Sequence, residues 1–260
     1  MTQSNMSGPD KLVYVAKEII SGDRLELKWQ PEFISKGESV PLTDKEKLKV
    51  LDAKAKLNKK NSRLLCIRLI ELNFTEKDIF VTLTYDDAHL PSTREEAGKC
   101  IKSFIRKINY RLKKAGLPNA LYIYTTEKPE NGRWHHHIVL SAGLNADEVM
   151  RCWPFGAVNK IDHLKREQNG FEKIGNYISK EFNENGKKTW VASRGLKRHQ
   201  ERVFHDSVSR KEVYRTVDDK TELYKALKEK YGSMGYKIRS VNVTTNPVNH
   251  EVYIHAILHK

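Results

Sequence analysis

"ALYIYTTEKPENGRWHHHIVL", residues 120 to 140, decides the fold. Two strand-like runs flank "KPENGR", whose Pro, Asn and Gly favour a tight connection, so the stretch is expected to form a β-hairpin. Side chains on a strand alternate between faces, which puts His135 and His137 on one side and His136 on the other. If Glu127 ends the first strand where His135 begins the second, positions 127, 135 and 137 share parity and the carboxylate joins the two imidazoles. Two imidazoles and one carboxylate suit a divalent cation with open coordination positions, where a substrate can bind. An H-x-H string by itself is a weak signal, because histidines also serve as plain hydrogen-bonding residues at strand ends.

Working outward, "DIFVTLTYDD" (78–87) alternates Val81, Leu83 and Tyr85 against Phe80, Thr82 and Thr84, the pattern of a strand within a sheet. Thr82 and Thr84 receive no chemical role from this reading. "EEAGKCIKSFIRKINYRLKKAG" sets Ile101, Phe104, Ile105, Ile108 and Leu112 at helical spacing and ends at Gly116, with Pro118 beyond. After the hairpin come a short helix ("NADEVMRCW"), a strand ("GAVNKIDHL") and a helix ("GFEKIGNYISKEFNE") with Phe171, Ile174, Ile178 and Phe182 as its apolar stripe. Hairpins mixed with helices predict an α+β fold built on an antiparallel sheet.

At the N-terminus, "LVYVAKEI", "SGD" and "RLELKW" read as a hairpin. A long helix follows, opened by Thr43 or Asp44 and dense in lysine over its first half. Past residue 200 stand a charged helix near "KTELYKALKEKYG" and a last hairpin about the turn "NPVN". These readings divide the chain into 1–75 (hairpin and basic helix), 76–200 (central domain) and 201–260 (helix and hairpin extension).

The 260 residues carry 47 Lys+Arg against 33 Asp+Glu, a net charge of +14. Such an excess favours a polyanionic partner, of which nucleic acid is the commonest. Lys54, Lys56, Lys59 and Lys60 on the early helix, with Arg106 and Lys107 on the later one, are the candidate phosphate contacts. Cys66, Cys100 and Cys152 are scattered without a C-x-x-C pair, which argues against a disulfide frame or zinc knuckle. No apolar run reaches the length of a membrane span and the start lacks an apolar signal core, so a cytoplasmic protein is expected, with no membrane partner.

Tyr177 lies off the stripe of its helix, with Lys180 three residues on and hence on a neighbouring face. An adjacent ammonium favours phenolate and can steer a phosphate, which makes the tyrosine a candidate nucleophile; a simple boundary residue is the alternative.

In order along the chain, "FVTLTY", "GRWHHHIVL" after "TTEKP", and "YISK" resemble the three motifs of the HUH endonucleases. The likeness is to the single-tyrosine initiators of rolling-circle plasmids and phages, and "KTWVASRGLK" (188–197) resembles the stretch after their nuclease helix. The resemblance covers about residues 60 to 200. It implies a five-stranded antiparallel sheet flanked by helices, the HUH nuclease fold, with N- and C-terminal hairpin and helix extensions. It further implies a Mg or Mn ion held by His135, His137 and Glu127, with Tyr177 and Lys180 as catalytic residues facing the histidines.

The implied activity is site-specific nicking and joining of single-stranded DNA at a replication origin through a 5′-phosphotyrosine intermediate, in a bacterial host cell. A relaxase or single-tyrosine transposase would use the same chemistry, and a non-catalytic basic DNA-binding regulator would not use it at all. His136 stands where many relatives have another residue, and one tyrosine in the helix motif argues against a two-tyrosine mechanism. The chain has no G-x-x-x-x-G-K-[ST] string, so a host helicase would unwind and a host polymerase would copy the DNA.

Overall fold

Leu12–Ser21 (β1) and Arg24–Phe33 (β2) form the expected N-terminal hairpin, in unbroken register from Leu12 opposite Phe33 to Ser21 opposite Arg24. The computed structural model describes residues 12–33, 43–130, 132–180, 190–205, 208–246 and 249–260. Phe182, the end of the nuclease-like helix, Lys188 and the middle of the "NPVN" turn lie outside the described residues.

Asp44–Asn73 is the long helix α1. Thr43 caps it: its hydroxyl accepts from the Glu46 N–H at 3.4 Å while the Glu46 carboxylate accepts from the Thr43 N–H at 2.8 Å. The lysine-rich first half is exposed, and burial begins in earnest at Cys66 and runs through Glu71. That change follows the sequence, which passes there from Lys-rich to Leu- and Ile-rich.

Five antiparallel strands build the sheet that the motifs occupy. They are Ile79–Thr84 (β3), Tyr122–Glu127 (β4), His135–Leu140 (β5), Val158–His163 (β6) and Trp190–Ala192 (β7), in the order β6-β3-β5-β4-β7. The histidine strand β5 is therefore central. Arg94–Lys114 (α2), Ala146–Arg151 (α3) and Glu172–Ile178 (α4) are the helices between them. One face of the sheet presents Val81, Leu83, Ile138 and Leu140, packed with Ile101, Phe104, Ile108 and Leu112 of α2 and with Trp153. The other presents Phe80, Ile123 and Val139, packed with Cys66, Leu69 and Ile70 of α1 and with Ile178 of α4. Each buried side chain of this size contributes roughly 1.5–3 kcal/mol relative to exposure.

A second five-stranded antiparallel sheet has the order β8-β1-β2-β10-β9, with Gln200–His205 as β8, Lys237–Thr245 as β9 and Val252–His259 as β10. Arg210–Asp218 (α5) and Thr221–Gly232 (α6) cover one face through Val213, Leu227 and Tyr231, which pack with Leu25, Leu27, Ile254 and Ala256. The sequence reading keeps 1–75 and 201–260 apart, whereas β1 and β2 here pair with β8 and β10 in a single sheet. Contacts divide the chain into two units, one formed by residues up to 50 with His199–Lys260, the other by Leu51–Arg198.

The α+β class and the central antiparallel sheet with flanking helices agree with the expectation; the second sheet adds to it. α5, β7 and β8 have no counterpart in the sequence reading. β7 is three residues long, β8 exposes all six of its side chains, and α5 buries only Val213, so none carries an apolar period.

Candidate active site

The β4–β5 register sets Glu127 opposite His135 and Thr125 opposite His137, which brings Glu127, His135 and His137 onto one face. Their ligand atoms all lie within 4.8 Å of one another. Glu127 is 2% exposed; its Oε2 is 3.4 Å from His135 Nε2, 3.8 Å from His137 Nε2 and 3.0 Å from Lys180 Nζ. Its Oε1 is buried without a hydrogen-bond partner among the described residues. A buried acceptor left unpaired costs about 1–3 kcal/mol, and a cation bound between the carboxylate and the imidazoles would relieve that cost. By donor set and by this orphaned oxygen, the residues fit a divalent ion.

Electrostatics separates the three histidines. Burial pushes His137 down to about 4, against the pull of the Glu127 carboxylate, and leaves a neutral imidazole with a lone pair to offer. The hydrogen bond to Glu127 instead raises His135, which is less buried. For Glu127, burial favours the neutral acid, but bonds from His135 and Lys180 and the charges of His137 and Lys180 outweigh it and hold the carboxyl below its ordinary value.

Thr82 belongs to this site, although the sequence reading assigned it nothing. It stands opposite His137 across β3–β5, and its hydroxyl is 3.1 Å from His137 Nδ1. An Nδ1–H donated to Thr82 Oγ1 leaves the Nε2 lone pair aimed at the cluster, the usual way an outer partner orients a ligating imidazole. Phe80 stacks on the same ring, with centroids 5.7 Å apart and planes within 8°. The signal for both residues is strand parity, readable only once β3 is known to pair with β5.

Tyr177 reaches the cluster from α4. Its hydroxyl is 3.1 Å from His137 Nε2, its ring meets the imidazole edge-on at 4.8 Å, and it keeps 39% exposure. Lys180 Nζ lies 4.8 Å from the centre of the Tyr177 ring. The structure thus gathers Glu127, His135, His137, Tyr177 and Lys180 in one place.

α1 seats the helix that carries Tyr177. Glu71, buried on α1, accepts from the Phe171 N–H at the start of α4 and from Arg166 at 3.0 Å. Gly175 allows α4 to approach closely, because a Cβ there would lie 2.6 Å from Ile67 Cγ1 and 3.0 Å from Ile67 Cα. Gly175→Ala is expected to destabilise the protein by about 1–3 kcal/mol through this overpacking. An unchanged thermal melting curve would show that the helices part without cost.

His136 faces away from the cluster, as parity requires. It is fully buried, with Tyr85 Oη 2.6 Å from Nε2, Thr126 Oγ1 2.8 Å from Nδ1 and the Trp153 ring at 5.6 Å. Burial pushes it down to about 3, so it is a neutral core residue at ordinary pH. His136→Ala should therefore cost roughly 2–4 kcal/mol, from a cavity and two stranded hydrogen-bond partners. Urea denaturation reads this directly, and an unshifted midpoint would contradict the packing role.

The basic candidates are dispersed. Arg106 and Lys107 are exposed on α2, which covers the sheet face opposite Glu127, His135 and His137. Lys54, Lys56, Lys59 and Lys60 are exposed on the first half of α1, where Lys56 pairs with Asp52 at 2.7 Å. Most of the net charge of +14 falls within Leu51–Arg198, the unit that holds the cluster. No helix among the described residues is long and apolar enough to cross a membrane.

Fold and site together define an α+β protein with a two-histidine, one-glutamate candidate metal centre beside a partly exposed tyrosine. Residues 78–184 match a family model described as replication-associated protein ORF2, a rolling-circle replication initiator family. The match spans β3 to α4, less than half of the 260 residues, and supports a replication-associated protein of the Rep type. No curated protein and no solved structure matches the chain.

Proposed function

We propose that the protein is a metal-dependent endonuclease of the HUH kind that nicks and rejoins single-stranded DNA at a replication origin and so initiates rolling-circle replication. The observation that carries this reading is the 3.1 Å approach of the Tyr177 hydroxyl to His137 Nε2 at the edge of the Glu127–His135–His137 cluster. The likeness of residues 78–184 to replication-associated proteins supports the same reading.

Tyr177 Oη would form a bond to phosphorus while the bond from phosphorus to the 3′-oxygen breaks. The phenol loses one proton and the departing 3′-oxygen gains one, leaving a 5′-phosphotyrosine and a free 3′-hydroxyl. One phosphodiester replaces another of similar energy, so attack by a 3′-hydroxyl reverses the step and rejoins the strand. A Mg or Mn ion bound by Glu127, His135 and His137 would polarise the phosphate oxygens as a Lewis acid. Thr82 would hold the His137 ring in the ligating orientation, and Lys180 would offset charge on the phosphate or phenolate. Lys54, Lys56, Lys59, Lys60, Arg106 and Lys107 would supply phosphate contacts away from the chemistry, with the salt dependence of counterion release. A host helicase and polymerase in the bacterial cytoplasm would complete replication.

The test is incubation with Mn²⁺ and a pool of single-stranded oligonucleotides, followed by denaturing electrophoresis. A shifted, nuclease-sensitive protein band is expected. Binding without any such band across the pool would favour the non-catalytic regulator instead.

A further inference from the structure

A cleft of about 440 Å³ opens along β3 and the edge strand β6 beneath α4, with Tyr177 at its rim. It shares Phe80, Thr82 and Tyr177 with the site above, so the two form one continuous surface. Strand register explains this: Lys160 stands opposite Thr82, and Thr82 opposite His137, which places Lys160 two strands from the histidine on the same face. Asp162 stands opposite Phe80 in the same way.

The lining has two parts. Phe80, Leu164 and Ile174 make an apolar floor, while Lys160, Lys165 and Lys173 stand with Asp162 and Glu167 around it. Lys160 pairs with Asp162 and Lys173 with Glu167, both at 2.9 Å, and Lys165 has no ion-pair partner among the described residues. Three ammoniums against two carboxylates leave one positive charge. An apolar floor of this size with one surplus cation matches an aromatic base carrying a single phosphodiester charge, and the volume lies in the range of about 300–1,000 Å³ typical of small-ligand sites.

We infer that this cleft seats one unstacked nucleotide of single-stranded DNA, next to the phosphate that Tyr177 attacks. The inference rests on the nuclease reading above. The base lies against Phe80, Leu164 and Ile174, and its phosphate faces Lys165. A base inside a duplex is stacked on both faces and paired along its edge, so it cannot enter; the cleft therefore selects single strands.

The test uses the full-length protein labelled at isoleucine δ-methyl groups, in EDTA so that no strand is cut. It is titrated with a short single-stranded deoxyoligonucleotide, the same sequence as a duplex, and deoxycytidine monophosphate; Ile174→Val identifies the Ile174 resonance. The single strand should move that resonance, the duplex should leave it in place, and Lys165→Glu should weaken the single-strand effect about fivefold, the upper end for an exposed charge contact.

A single strand that binds without moving Ile174, a duplex that moves it equally, or an indifferent Lys165→Glu would overturn the inference. Saturation by the monophosphate at lower concentration than by the oligonucleotide would make the cleft a free-nucleotide site and overturn it too. The readout needs neither cation nor covalent bond. A shifting Ile174 in a protein that forms no Tyr177 adduct removes the nuclease reading and keeps a nucleotide cleft, and an adduct with Ile174 unmoved does the reverse.

Discussion

Tyr177→Phe is expected to bring covalent attachment to DNA down to background while folding and DNA affinity stay close to those of the parent protein. The substitution deletes only the phenolic oxygen, and the ring keeps its edge contacts with His137 at 4.8 Å and Phe80 at 5.9 Å. At 39% exposure the hydroxyl is not a core hydrogen-bonding group, so its loss should cost no more than about 1 kcal/mol of stability. Lys180→Ala differs in kind: the ammonium tunes charge and does not form the bond, so the adduct should appear more slowly but still appear. Mass spectrometry of a protease digest decides the matter, with the nucleotide expected on the peptide containing "IGNYISK". An adduct on Tyr85, Tyr110 or Tyr124, or undiminished adduct in Tyr177→Phe, would remove Tyr177 as nucleophile.

His137→Ala should abolish Mn²⁺-dependent nicking and lower Mn²⁺ affinity by about 100-fold or more, since even outer partners of a metal site are worth 10–100-fold. His137 does more than the other ligands. It bridges Thr82 at 3.1 Å and Tyr177 at 3.1 Å, so its removal takes away a ligand and the group against which the phenol rests. His135→Ala and Glu127→Ala should weaken metal binding and nicking without disturbing the Tyr177 contact. DNA affinity should largely survive in all three, because the lysines and arginines proposed to hold the strand are untouched. Calorimetric titration with Mn²⁺ beside a nicking assay separates these effects. Full nicking by Glu127→Ala at low Mn²⁺ would take Glu127 out of the site.

The convergence of Glu127, His135 and His137 was legible in the sequence because it depends on local facts: a period of two along each strand and a short connection that pins the register. The buried stripe of α2 was legible for the same reason, its spacing being contained in one helix. Thr82 was not, because its role arises from a strand pair separated by 55 residues with α2 and β4 in between. Glu71 lies 100 residues from the amide it receives, and a glutamate on a helix gives no local sign of such a partner. The union of β1 and β2 with β8 and β10 was hidden likewise, since pairing between distant edges leaves no periodicity behind.

The seating of α4 on α1 bears on where this chain can be cut. The stretch alike to replication-associated proteins begins at residue 78, after α1 has ended at Asn73. A fragment trimmed to that stretch would keep the strands that align Glu127, His135 and His137, yet lose Ile67 and Glu71, against which Gly175 and Phe171 are set. The smallest portable version of the protein therefore starts upstream of the homologous segment. In such a truncation the ion-binding half and the tyrosine-bearing half would come apart as separate inheritances.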